Sequence, residues 1–130
     1  MKKDKLRIFL IPTMLVASSA IMAMAWLGHL KYKQELSFIM AALSAWLLVL
    51  PEYLLNVSAI RWGVGLYQPS QMAAINLSSG IVFIALVSHF FLGEEISNQK
   101  YIGFGIMIIA MVLISDPISY KVKIKNQKKI

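Results

Sequence analysis

Residues 8–27 read IFLIPTMLVASSAIMAMAWL, twenty consecutive residues without an acidic or basic side chain. A run of about 18 or more apolar residues can cross the roughly 30 Å hydrocarbon core of a bilayer as a helix. Three further runs follow, and we place four helices at about residues 8–30, 36–60, 70–92 and 98–116. A backbone in lipid must satisfy its own hydrogen bonds, and the runs lack the alternation of a β-barrel strand. The sequence therefore predicts an all-α integral membrane bundle of four transmembrane helices, forming one domain over residues 1–130.

The composition supports a membrane protein and excludes several kinds of site. Hydrophobic residues make up 58% of the chain and charged residues 15%, whereas soluble domains carry about 25% charged residues. The chain has no cysteine, which excludes disulfides, thiol catalysis and cysteine-bound metals. No His or carboxylate spacing is typical of a metal site or a catalytic triad. We therefore expect no metal, no cofactor and no enzymatic activity.

The amino-terminal run has one alternative interpretation, a cleaved signal peptide. Basic residues precede it, and Ala23-Met24-Ala25 resembles a cleavage site. The apolar stretch is as long as a full span, however, and three further hydrophobic segments follow it. We interpret it as the first transmembrane helix.

The basic residues fall into two groups that predict the orientation of the chain. Ten would lie on one side of the membrane: four before the first helix, Arg61 after the second, and five in the tail at 117–130. Three would lie on the other side: Lys31, Lys33 and Lys100. Because basic residues favour the cytoplasmic side, we expect both chain ends in the cytoplasm, most simply at a bacterial inner membrane. Anionic lipid headgroups explain the basic tail, so we expect no nucleic-acid partner.

Glu52 is the one acidic residue deep inside a hydrophobic run. It lies nine residues before Arg61, which is about 13 Å of helix and places it near the bilayer midplane. Inserting a central acidic residue costs about 2.5–3.5 kcal/mol on translocon scales. Such a residue is a candidate proton relay or counter-charge for a solute, and the alternative is a protonated carboxyl that hydrogen-bonds a neighbouring helix.

Neighbouring residues extend this candidate binding site. Pro51 removes a backbone donor and should kink the second helix. Asn56 lies one turn from Glu52 on the same face, and Tyr53 follows Glu52 directly. We predict that Glu52, Asn56 and Tyr53 bind substrate beside this kink.

Two other helices contribute candidate residues. In the third helix Asn76, Ser79 and Gly80 form a polar face, which suits either ligand contact or the close packing of membrane helices. In the first helix Trp26 is a candidate for substrate contact or for an aromatic anchor at the membrane interface. We include Asn76 and Trp26 in the predicted substrate site and leave both alternatives open.

The fourth helix carries a face suited to self-association. Gly103, Met107, Ala110 and Ile114 recur at helical spacing, and small residues let membrane helices approach closely. Because side chains usually fill the centre of a four-helix bundle, a solute path would need walls from two chains. We expect a homodimer with Gly103, Met107 and Ala110 at the contact; the alternative is that this face packs on the third helix.

Several motifs resemble one family. They are Ala25-Trp26-Leu27-Gly28-His29-Leu30-Lys31, Pro51-Glu52-Tyr53, Ala59-Ile60-Arg61-Trp62-Gly63, Tyr67-Gln68, Ser70-Gln71, Leu92-Gly93-Glu94-Glu95 and Gly103-Phe104. The sequence resembles small members of the drug/metabolite transporter superfamily up to about Pro117. It is similar to the small multidrug resistance proteins and closer to a branch of unknown function.

The resemblance implies a four-helix transporter-like fold that forms dimers. One difference from the small multidrug resistance proteins limits which residue roles the resemblance implies. The multidrug proteins have their essential glutamate in the first helix, and Ile8–Leu27 contains no carboxylate. If an acidic residue acts here, it should be Glu52.

Three functional hypotheses follow. The first is a transporter, or a transporter subunit, that moves an unidentified small solute of amphipathic or cationic character. The second is a non-transporting subunit or assembly factor that binds another membrane protein. A membrane-embedded enzyme is the weakest, because one intramembrane carboxylate lacks a catalytic companion.

Overall fold

The computed structural model describes residues 2–114 and 125–126, and the elements formed by residues 2–114 are helical. Helix α1 covers Lys2–Leu27 and continues into a short 3₁₀ helix, Gly28–Tyr32. Helix α2 covers Phe38–Gly63, α3 covers Pro69–Phe90 and α4 covers Asn98–Ile114. The all-α prediction is confirmed. The predicted end of the fourth helix, at about residue 116, lies outside the described residues.

Three of the helices are long and apolar enough to cross a membrane: α1 with its 3₁₀ extension, α2 and α3. Helix α4 is apolar but has 17 residues in the described part, about 26 Å at about 1.5 Å per residue. The chain is therefore a multi-pass membrane protein by length and composition.

The helix ends follow local sequence signals. The side chain of Ser37 accepts a hydrogen bond from the Met40 amide and caps α2. Pro69 opens α3 behind a capping box formed by Gln68 and Gln71, where a missing N–H costs nothing. The chain leaves α3 through Gly93, whose φ of +75° is the left-handed conformation expected there.

Two helix boundaries differ from the predicted ones. Helix α1 begins at Lys2 and not near residue 8, because its charged first turns contain no helix breaker, and it therefore includes Asp4. Helix α2 runs to Gly63, so Arg61 lies in its last turn and not in a loop. Arg61 nonetheless stays at the helix end where the sequence places it.

Helix α1 is the centre of the fold. It packs against α2 on one side and α3 on the other, whereas α2 and α3 barely touch, and α4 packs against α3. The order in space is therefore α2–α1–α3–α4. Helices that follow one another in sequence run antiparallel. Arg7 near the start of α1 donates to the Trp62 carbonyl at the end of α2, and Gln71 at the start of α3 donates to the Ile114 carbonyl at the end of α4, at 2.7 Å.

An apolar core holds one end of the assembly together. Its fully buried members are Ile11, Leu15, Ala59, Leu66, Tyr67, Met72 and Ile75. The Tyr67 hydroxyl, in the α2–α3 loop, donates to the Ile8 carbonyl at 2.8 Å. Gly63 lets the end of α2 lie close to α1 and α3, since a Cβ there would overlap Met72 Sδ and lie 3.0 Å from Ile11 Cγ2.

The buried residues of α2 are polar or small, and many of its exposed residues are large and apolar. Its buried residues are Glu52, Ala59 and Gly63, and its exposed ones include Leu47, Trp46 and many other large hydrophobics. A soluble protein hides its large apolar side chains from water. The reverse distribution is expected when the solvent is lipid and the helix contact depends on small and polar residues.

Candidate functional site

Adjacent serines in the middle of α1 connect it to both neighbouring helices. Ser18 and Ser19 are both buried, and because consecutive helical residues point in different directions, each meets a different helix. Ser18 contacts α2 through Glu52, and Ser19 contacts α3 through Ser79, with 2.7 Å between the two hydroxyl oxygens. This pair of hydroxyls therefore forms the polar centre of the three-helix contact.

Glu52 is enclosed on the α1-facing side of α2, with 3% of its surface exposed. The Ser18 hydroxyl donates to Glu52 Oε1 at 2.6 Å. Asn56, one turn further along α2, donates from Nδ2 to the Ser18 oxygen at 3.2 Å. The structure thus brings Glu52 and Asn56 together, as their spacing predicts.

The second carboxylate oxygen of Glu52 has no partner. Among the side-chain nitrogens and oxygens of the described residues, Glu52 Oε2 is the buried atom without a hydrogen bond. An unsatisfied buried acceptor costs about 1–3 kcal/mol, and more when it is charged. A purely structural carboxyl should have both oxygens paired, so this atom is the strongest sign of a ligand-binding group.

Asn76 joins the cluster from α3. Its Nδ2 donates to the Leu15 carbonyl at 3.0 Å and lies 3.5 Å from the Ser18 oxygen. Ser18 is therefore surrounded by Glu52, Asn56 and Asn76. We call these four residues the polar cluster.

Ser79 and Gly80 serve the contact between α1 and α3. The Ser79 hydroxyl lies 2.6 Å from the Ile75 carbonyl of its own helix as well as against Ser19. A Cβ on Gly80 would lie 3.6 Å from Ser19 Cβ. Of the polar face predicted on the third helix, these two residues pack the helices together and Asn76 reaches the polar cluster.

Two predicted substrate contacts lie apart from Glu52. Tyr53 is 64% exposed and Trp26 is 61% exposed. Tyr53 follows Glu52 in a helix, so its side chain turns about 100° away, towards the outside of the assembly. The structure places neither residue in the polar cluster, and their role in substrate binding stays a prediction.

Trp26 instead lines a cleft between α1 and α3. The cleft has a volume of about 170 Å³ and its walls are Ser19, Met22, Ala23, Trp26, Asn76, Leu77, Gly80, Ile81 and Ile84. Asn76 is the one residue that both lines this cleft and belongs to the polar cluster. Trp26 and Asn76, predicted separately, thus share a surface.

Ser18 is the residue that sequence reasoning missed. The side chains from α2 and α3 meet at its hydroxyl, yet it is not among the predicted substrate-binding residues. The available signal was two consecutive hydroxyl residues in the middle of an apolar span, where each polar group needs a partner.

A small charged cluster outside the membrane-spanning segments lies at the α3–α4 turn. Lys100 Nζ lies 3.4 Å from Glu94 Oε1, and Ser88 donates to the same carboxylate. The hydrogen bond from Ser88, followed by the hydrogen bond and charge of Lys100, holds the pKa of Glu94 below its ordinary 4.5. Within the described residues, no group of three His, Asp or Glu side chains could hold a metal ion.

Together these features define a class: a multi-pass helical membrane protein with a carboxyl group enclosed in a polar cluster between its spans. Residues 11–115 match the family described as "Putative member of DMT superfamily (DUF486)", and the chain belongs to that family. The predicted resemblance to the drug/metabolite transporter superfamily is thereby confirmed, and the family suggests a membrane transporter. No curated protein and no solved structure matches the sequence.

Proposed function

We propose that this protein is a small transporter, or a transporter subunit, that moves a small solute across the membrane by binding it at Glu52. The observation that carries the proposal is the unpartnered, enclosed Glu52 Oε2. The family supports the transport assignment, and the position of Glu52 within a membrane span supports its role as the binding group.

The polar cluster fixes the geometry of this group. Ser18 holds Oε1, while Asn56 and Asn76 hold the Ser18 oxygen from either side. Oε2 is then the atom left for a hydrogen-bond donor or a cation on the solute. An apolar surround strengthens such an interaction, because little water competes for it.

Replacing Glu52 by glutamine tests the proposal. Glu52→Gln keeps the size of the side chain and an oxygen that can accept from Ser18, but replaces the ionisable carboxyl by a neutral amide. We expect the variant to insert and fold, and to lose solute binding in a screen of small amphipathic cations against purified protein. Glu35→Gln, which removes an exposed carboxyl from the α1–α2 connection, is the matched control and should bind as wild type. Full binding by Glu52→Gln would refute the proposal.

A second candidate function is a non-transporting subunit that binds another membrane protein. The observation in its favour is the wide exposed face of α2, which includes Trp46, Leu47, Leu50 and Leu54. Stable co-purification of a larger membrane protein, abolished by polar substitutions on this face and unaffected by Glu52→Gln, would favour it over transport.

The proposed orientation places both chain ends in the cytoplasm, in a bacterial inner membrane. In support, the start of α1 and the end of α2 lie together, as the Arg7–Trp62 contact demonstrates. That end carries Lys2, Lys3, Lys5, Arg7 and Arg61. The opposite end balances Lys31, Lys33 and Lys100 with Glu35, Glu94 and Glu95, so the positive-inside rule favours one orientation.

We also propose a homodimer formed through α4. Gly103 and Ala110 are exposed, Met107 is half-buried, and α4 has no buried residue between Asn98 and Ile114. A Cβ at Gly103 would meet no atom within 4 Å. Gly103 and Ala110 are thus free for a second copy, while Met107 is also partly covered within the chain.

A further inference from the structure

The α1–α3 cleft is not purely apolar, and its polar groups restrict which molecules it can bind. Most of its walls are aliphatic, with Met22, Leu77, Ile81 and Ile84 among them, and its polar members are Ser19 and Asn76. Ser19 is already bonded to the Val16 carbonyl and to Ser79. The Trp26 indole N–H can only donate, so Asn76 is the group that can accept a new hydrogen bond from a molecule in the cleft.

The orientation of the Asn76 amide determines what it offers. Its Nδ2 is used by the Leu15 carbonyl and the Ser18 oxygen, so Oδ1 lies on the other side of the amide group. No hydrogen bond within the described residues uses this Oδ1, yet it is not among their enclosed unpartnered atoms. An amide oxygen has two lone pairs, so Asn76 presents a free acceptor that keeps some open surface.

The residues around the cleft favour a ligand that is positively charged and donates a hydrogen bond. Among the described residues, no basic side chain lines the cleft, and Trp26 contributes an indole ring to it. A cation over an indole face is favoured. Behind Asn76, the Ser18 hydroxyl connects the amide to the Glu52 carboxylate over 3.5 Å and 2.6 Å. A positive charge at Asn76 Oδ1 is thus complementary to the Glu52 carboxyl group.

The volume of the cleft indicates the size of ligand that it can hold. The cleft measures about 170 Å³, and an apolar cavity of about 150 Å³ is large enough for benzene. One aromatic ring with a short substituent fills this volume.

We propose that the α1–α3 cleft binds a single-ring aromatic molecule carrying a protonated primary amine, with the ammonium donating to Asn76 Oδ1 and the ring beside Trp26. This inference deepens the proposed function and rests on it, because it names the class of solute that reaches Glu52 and the face from which it arrives. A quaternary ammonium of the same size carries the charge but has no N–H, so it should bind poorly.

The test compares two probes by fluorine NMR on purified protein in detergent, with protein-free micelles as the baseline. The probes are para-fluorobenzylamine and its N,N,N-trimethyl analogue. Because a hydrogen bond to a charged group contributes about 1.5–3 kcal/mol, the primary amine should bind at least about tenfold more tightly. Asn76→Leu should abolish this preference. Equal binding of the two probes to the wild-type protein overturns the proposal.

Filling the cleft locates the site independently of Glu52. Gly80→Leu and Ile81→Trp each place a larger side chain in the cleft, and Ile81 is exposed enough to accept the change without disturbing the core. Both variants should reduce affinity for the amine about tenfold or more. Gly105→Leu, at a helical glycine with no atom near its Cβ position, is the matched control and should leave affinity unchanged.

The outcomes separate this inference from the proposed function. If the amine binds but Ile81→Trp leaves its affinity unchanged, the cleft is not the site and the inference is wrong, while transport through Glu52 stands. If Glu52→Gln retains transport of every solute, the proposed function is wrong whatever the cleft binds. Amine selectivity that depends on Asn76 and disappears when the cleft is filled supports the inference.

Discussion

The Ser18 hydroxyl lies 2.6 Å from Glu52 Oε1 and is the hydrogen-bond partner of the enclosed carboxylate. This contact joins the first two membrane spans near the middle of both helices. Asn56 and Asn76 in turn bond to the same hydroxyl, so the position of Glu52 depends on a residue of another helix.

Removing the Ser18 hydroxyl should destabilise the protein. Ser18→Ala leaves both Glu52 oxygens unpartnered and takes an acceptor from Asn56, which should cost about 1–3 kcal/mol of unfolding free energy. Thermal or denaturant unfolding in detergent measures the change. Ser44→Ala removes an exposed hydroxyl that bonds only within its own helix and should cost less than about 0.5 kcal/mol. Equal effects of the two substitutions would show that Ser18 does not organise the cluster.

The Glu94 contacts predict a dependence of stability on pH. Because Ser88 and Lys100 lower the folded-state pKa of Glu94 below its ordinary 4.5, the contribution is fully present above the unfolded pKa and is lost as pH falls through the folded pKa. The melting temperature of wild type should exceed that of Glu94→Gln at neutral pH. The difference should vanish in acid below the folded pKa. The contact of His89 Nδ1 with the backbone oxygen of residue 94 is retained in the variant. A difference that stays constant with pH contradicts this account.

The charge distribution predicts the location of the C-terminus. A reporter fused there should be active only if it is of the cytoplasmic type, because ten of the thirteen basic residues favour that side. The matched experiment neutralises Lys2, Lys3, Lys5 and Arg7, which should raise the fraction of inverted molecules. A strong signal from an extracytoplasmic reporter on the wild-type protein would overturn the proposed orientation.

The proposed dimer can be broken on α4. Gly103→Leu with Ala110→Leu should yield folded monomers, since both positions are exposed and a Cβ at residue 103 would have no neighbour within 4 Å beyond its own helix backbone. Crosslinking and mass measurement in mild detergent and in bilayers report the oligomeric state. Ala42→Leu, at an exposed position of α2, should leave the dimer intact. A wild-type protein that is monomeric in both environments contradicts the prediction.

The sequence was sufficient to predict what depends on a single helix. Four apolar runs predict four helices because lipid leaves the backbone no other partner. The spacing of Glu52 and Asn56 predicts that they share a face, since residues four apart lie one above the other.

What depends on how helices are rotated against one another could not be predicted. That Glu52 meets Ser18, and that Asn76 arrives from α3, follows from packing around α1. The same rotation turns Tyr53 outward and places Trp26 beside Asn76 in the cleft. Nearly every face of these helices is apolar, so no hydrophobic stripe marks the inner side as it would in a soluble bundle.

The central position of α1 has a consequence for biogenesis. Helix α1 is synthesised before α2, α3 and α4, and it carries the two hydroxyls, Ser18 and Ser19, that α2 and α3 contact. When α2 emerges from the ribosome, a partner for its carboxyl is already in the bilayer. When α3 follows, Ser79 can hydrogen-bond Ser19, and α4 then packs against α3. Each helix therefore packs against one that was synthesised before it. The partner of Glu52 is in the bilayer before Glu52 itself is inserted, so α2 does not depend on a later helix to satisfy its carboxyl group.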